Sequence, residues 1–258
     1  MSRPLLTFAA ALAAALLLAS CGGGSSPLKP PLGPPTARHP SSDFSNELAA
    51  EEMRVHLLVA ARLYNNLRYG LATQHMDAAQ SEYDSLTGAV RRHDSALDRE
   101  FHAAFPVISG EINQHLPALG VTNRMGLVQG QLLDAAITDS VSKAARNDPG
   151  FTAQVMLQLA TQGAREYMLA AQQGGFTDQG KRQYQDAFGL ITRASSLSHA
   201  IASYLGPQRG AVINGLNDAH QKGFPTGVLV PKQLNAAAVT AGVQRAQAGV
   251  SRRFGFSA

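Results

Sequence analysis

The 258-residue chain has no tryptophan, one cysteine and only 6% aromatic residues. A single cysteine excludes an intramolecular disulfide. No long stretch alternates β-branched and polar residues, so nothing reads as a strand. Gly-x-Ser-x-Gly, His-Glu-x-x-His, a phosphate-binding glycine loop and a dinucleotide fingerprint are also missing. Catalysis and a bound cofactor are therefore not expected. The formal charge is only +4, with no dense Lys/Arg patch interleaved with aromatics, so nucleic acid is not an expected partner.

What is present starts with Arg3 and an almost unbroken apolar run over residues 4–19. That run is too short and wrongly flanked for a spanning helix and reads as a secretory signal peptide, residues 1–20. Its end, Leu18-Ala19-Ser20-Cys21, resembles the lipobox of bacterial lipoproteins. The resemblance implies cleavage before Cys21, acylation of its sulfur by a palmitate-class chain, and acylation of the new amino terminus. Several acyl chains anchor a protein firmly where one does not. The expected location is the cell envelope, held to the membrane by lipid. Gly22 after the cysteine favours the outer membrane in a Gram-negative envelope. A lipidated Cys21 is not available as a nucleophile.

Residues 21–43 read as a tether. Gly22-Gly23-Gly24-Ser25-Ser26 is flexible, and Pro27, Pro30, Pro31, Pro34, Pro35 and Pro40 stiffen the remainder toward polyproline II. Such a segment reaches up to ~60 Å from the bilayer.

The body is expected to be all-α, because Ala, Leu, Gln and Arg dominate it and lose little freedom in a helix. Met53, Leu57, Ala60, Tyr64, Leu67 and Leu71 recur at helical spacing. A second helix is expected from Asp77, with Tyr83, Leu86, Val90, Leu97, Phe101 and Phe105 on one side. Pro106 is expected to start a short segment, and Asp148-Pro149-Gly150 to break the chain, with Pro149 also able to sit at the start of the next helix with Asp148 as its cap. At an offset of 101 residues the second half repeats landmarks of the first. Asp77 falls on Asp178, Tyr83 on Tyr184, Gly88 on Gly189, Arg92 on Arg193 and Pro106 on Pro207. The expectation is a tandem duplication of a roughly four-helix unit, residues 44–147 and 148–258, packed as two bundles or one compact αα array. Gly88 and Gly189, both mid-helix, suggest close helix crossings. In architecture such a body resembles the imelysin-like periplasmic proteins, which are exported, helical, duplicated and associated with iron uptake. Their Gly-x-His-x-x-Glu motif is missing, so no residue role carries over.

Few residues stand out as candidates for chemistry. Glu52 and His56, like Glu111 and His115, share a helix face at i,i+4 and read as solvated surface pairs. A metal needs three or four converging groups, so no metal site is expected. Ser140-x-x-Lys143 lacks the companion motifs of the penicillin-interacting enzymes and reads as a helix turn. His93 falls on the apolar seam of the second helix, and Tyr83 and Tyr184 are equivalent under the duplication. Those three are the candidate lining of a ligand pocket between the repeats. The expected function is a non-enzymatic helical scaffold or adaptor that docks an envelope protein partner. The alternative is a periplasmic solute or metal carrier with a pocket between the repeats.

Overall fold

Pro40, at φ −54° and ψ 142°, directly precedes α1 (Ser41–Asn65). The computed structural model describes residues 39–256, so Cys21, the signal segment and nearly all of the tether lie outside the described residues. α1 starts inside the segment read as tether. His39 is docked there: its Nε2 lies 2.9 Å from Asp148 Oδ2, and its ring meets Phe151 edge-on.

Asn66 and Leu67 turn the chain, with Leu67 at φ 58°, into α2 (Tyr69–His93). α2 thus starts two turns before Asp77. It ends at Asp94, whose carboxylate accepts from the Ala96 and Leu97 amides and so caps α3 (Ser95–Asn113). Pro106 lies inside α3 rather than opening a new segment. It sits on the exposed face, as does His102, the residue one turn back whose carbonyl a proline cannot donate to.

α4 (Ala118–Leu127) passes through a π turn, Val128–Leu132, into α5 (Leu133–Ser140). A short α6 (Lys143–Arg146) leads to α7 (Pro149–Gln172), which Asp148 caps and Pro149 opens, as expected. Then come α8 (Asp178–Ala200), two 3-10 turns, α9 (Arg209–Gly223) and α10 (Ala236–Phe254). The described residues are all-α, without a strand.

The two halves use one packing scheme. α1 and α2 form a long hairpin, α3 packs on α2, and α4 and α5 return to α1. α7 and α8 form the second hairpin, α9 packs on α8, and α10 returns to α7 and α9. The halves join through α8, and less extensively α7, against α1. One continuous apolar core runs through both, from Met53 and Phe101 to Tyr167 and Val250.

The element boundaries do not follow the 101-residue offset. It sets the break at Asp94 against Ser195, inside α8, and Pro106, inside α3, against Pro207, in a 3-10 turn. The two glycines it pairs also differ. A Cβ at Gly189 would stand 2.6 Å from Val55 Cγ1 of α1, whereas one at Gly88 would meet nothing within 4 Å.

Candidate metal centre

The four helices of the two long hairpins each turn polar side chains into one interior space. On α1, Glu52 and His56 stand one turn apart, and α2 contributes His75 and Glu82. Gln162 and Glu166 come from α7, again one turn apart, and Gln185 and Asp186 are consecutive on α8. Most of them border a cavity of about 150 Å³ between the hairpins. Gly189 makes the arrangement possible, since its missing Cβ lets α8 approach α1 one turn beyond Asp186. Arg193, another turn on, holds the same two helices together by pairing one guanidinium edge, Nε and Nη2, with both carboxylate oxygens of Glu51 on α1.

Three ligand-type atoms converge. His56 Nδ1 lies 3.2 Å from His75 Nδ1. Asp186 Oδ1 lies 3.6 Å from the first and 3.7 Å from the second. Asp186 Oδ1 is buried and has no hydrogen-bond partner. An orphaned carboxylate oxygen in such a place is costly unless something positive meets it. The far nitrogen of His75, Nε2, is 3.2 Å from Gln185 Oε1.

Electrostatics are set by burial. It pushes the Asp186 carboxyl up to about 7, with help from the nearby Glu166. Glu52 is also raised to about 7, by burial and then by Glu82, to which it is hydrogen-bonded. Burial raises Glu82 and Glu166 as well. The same burial lowers His56 to about 4 and His75 to about 3. Carboxyls that resist ionising beside imidazoles that resist protonation form a neutral, desolvated group. A divalent cation reverses that balance, because it stabilises carboxylates and takes imidazole in its neutral form.

The residues singled out from the sequence lie elsewhere. His93 is not on a buried seam: it is the last residue of α2 and is exposed, because the helix ends there and the apolar pattern beyond it belongs to α3. Tyr83 is buried in the first half, stacks on Phe101 and donates to Asp98 Oδ1 at 2.8 Å. Tyr184 is buried in the second half and donates to the Gly227 carbonyl at 3.0 Å. Each hydroxyl is engaged within its own half, so the three do not form a pocket. Cys21 lies outside the described residues.

Glu52 and His56 are not a solvated surface pair, since both border the interior cavity. Glu111 pairs with Arg124 rather than with His115, accepting from Arg124 Nε at 2.7 Å, while His115 stacks on Tyr69. Ser140 donates to the Ala136 carbonyl within its own helix, as a helix turn would. His75, Glu82, Gln162, Glu166 and Asp186 were not picked out from sequence. The one available signal was a polar residue interrupting the apolar face of each long helix.

Comparison of the chain with protein-family models, with curated proteins and with solved structures finds no match.

Proposed function

We propose that the chain is a lipid-anchored envelope protein, attached through Cys21, whose helical body is a non-enzymatic carrier of a divalent transition-metal ion. The observation that carries this reading is the convergence of His56 Nδ1, His75 Nδ1 and Asp186 Oδ1, all within 4.8 Å of one another. Two imidazoles, a carboxylate and no sulfur suit Zn2+, Mn2+ or Fe2+ better than Ca2+ or Mg2+, which take oxygen ligands, or Cu+, which takes thiolates and thioethers. Glu52, Glu82 and Glu166 border the same cavity, and a cation there would favour their ionised forms, which burial alone disfavours. The ligands come from both halves, which favours a carrier with its site between the repeats. Among the described residues no helix is long and apolar enough to cross a membrane.

The test is titration of the metal-free, full-length chain with Zn2+, Mn2+ and Fe2+ by calorimetry, with thermal unfolding alongside. One bound equivalent and a raised midpoint are expected, both lost in His75→Ala and Asp186→Ala. Binding that persists unchanged in both variants sinks the reading.

A scaffold that docks an envelope partner is a second reading, supported by a separate feature. A trough of about 380 Å³ runs between α3 and the α4–π segment, lined by Ala104, Val107, Ile108, Leu127, Val128 and Leu132. Val107 and Leu127 are half exposed there, and Leu119 on α4 is 74% exposed. Loss of an envelope crosslink in Leu127→Glu, with metal binding intact, would favour docking at this face.

A further inference from the structure

We infer that Gln185 is the positioning residue of the metal centre, fixing the tautomer of His75 so that its Nδ1 lone pair faces the ion. The inference rests on the metal reading above and assigns a role to a residue that is not itself a ligand.

His75 and Gln185 are each 2% exposed, so neither exchanges this contact for water. A neutral imidazole carries one N–H and one lone pair, and the partner of one nitrogen decides which is which. Gln185 Oε1, 3.2 Å from His75 Nε2, is an acceptor. It therefore draws the hydrogen to Nε2, and Nδ1 is left bare toward His56 and Asp186. Metal-binding histidines are generally oriented in this way through the nitrogen that does not bind.

The choice of residue at 185 also follows from its neighbours. Asp186 comes next in the chain, so one turn of α8 supplies both a ligand and the group that aims a second ligand. A carboxylate at 185 would add a buried charge, at a desolvation cost, to a space that already holds the acidic groups of Asp186, Glu52, Glu82 and Glu166. A carboxamide accepts the same hydrogen bond without that charge.

A consequence follows for His56. With His75 Nδ1 as acceptor, the hydrogen in the 3.2 Å Nδ1···Nδ1 contact belongs to His56. An ion bound to both Nδ1 atoms displaces it. His56 would give up the Nδ1 proton to water and take one from water at Nε2, so the ring stays neutral and His56 itself releases no net proton. The His56 side chain retains 17% exposure, which gives water access to it, whereas that of His75 retains 3%. His75 is thus the fixed ligand and His56 the adaptable one.

The experiment is nitrogen-15 NMR of histidine tautomers in the full-length chain, metal-free and then with Zn2+ alone, for wild type, Gln185→Leu and Gln185→Glu. Far-UV circular dichroism checks that both variants fold. In metal-free wild type, His75 is expected as the Nε2–H form and His56 as the Nδ1–H form, and Zn2+ converts His56 to Nε2–H. Gln185→Leu mixes the His75 tautomers and weakens Zn2+ binding about 10–100-fold. Gln185→Glu retains the acceptor and keeps His75 in the Nε2–H form. His75 in the Nδ1–H form in metal-free wild type overturns the inference without need of any variant. Wild-type affinity in a folded Gln185→Leu also overturns it. If wild type binds none of Zn2+, Mn2+ or Fe2+, the metal reading fails and the positioning role falls with it. The metal-free spectrum tells the two failures apart, because it reports on Gln185 with no ion present.

Discussion

Gly189 of α8 lies against Val55 of α1 so closely that a Cβ at position 189 would stand 2.6 Å from Val55 Cγ1 and 2.8 Å from Val59 Cγ2. This contact sets the distance between the halves one turn from Asp186. Gly189→Ala is expected to destabilise the fold by about 1–3 kcal/mol through overpacking, seen as a lower urea midpoint. It should also weaken Zn2+ binding. Gly88→Ala, with open space around it, should raise stability by up to ~1 kcal/mol from helix propensity alone. Equal loss in both variants would show that the crossing at Gly189 is not special.

The Arg193–Glu51 pair joins the same helices. Glu51 is 1% exposed and depends on the guanidinium, with Arg54 Nε only at 3.7 Å. Arg193→Met leaves a buried carboxylate short of its main partner and should cost about 3 kcal/mol. The double variant Arg193→Met with Glu51→Leu should recover most of that loss, since replacing both charges removes the desolvation penalty. Urea unfolding of the two single variants and the double variant checks this. A double variant no more stable than Arg193→Met alone would contradict the account.

Asp186 gives the metal-free protein a pH signature. Its carboxyl is raised by burial from 3.8 to about 7, so between those values the folded state holds a proton that the unfolded state has released. Stability from this group is therefore present at low pH and declines as pH rises from about 4 to about 7. Asp186→Asn removes the decline. With EDTA present, the variant should gain on wild type steadily across that window and then level off. His56 and His75 act in the opposite sense, because burial lowers both. Their contribution grows as pH rises toward the ordinary histidine value, near 6.5. His56→Leu should therefore gain on wild type as pH falls below 6.5. Denaturation midpoints from pH 4.5 to 8 measure both trends, and a flat Asp186→Asn difference would contradict the first.

Cys21 is testable without the fold. Labelled palmitate supplied to expressing cells should enter the wild-type chain and not Cys21→Ser, and the variant should leave the membrane fraction. Label retained in Cys21→Ser would move the attachment elsewhere.

The composition alone determined the helical class. Ala-rich segments with apolar residues every three or four positions have one favourable way to bury a face, and Asp148-Pro149 marked a helix start that the structure keeps. Helix ends were harder to read. The apolar stripe from Tyr83 to Phe105 runs across the break at Asp94, because α2 and α3 bury successive parts of it in one core. His93 was misplaced for that reason.

The centre itself was a product of tertiary structure. Glu52 and His56 were visible as an i,i+4 pair, but a single helix does not say whether such a pair meets water or another helix. His75 and Asp186 are separated by more than a hundred residues, and local periodicity carries no information about a contact at that range. Only the packing of α8 against the α1–α2 hairpin joins them, and burial there then shifts the ionisation of the acidic and histidine groups the site holds.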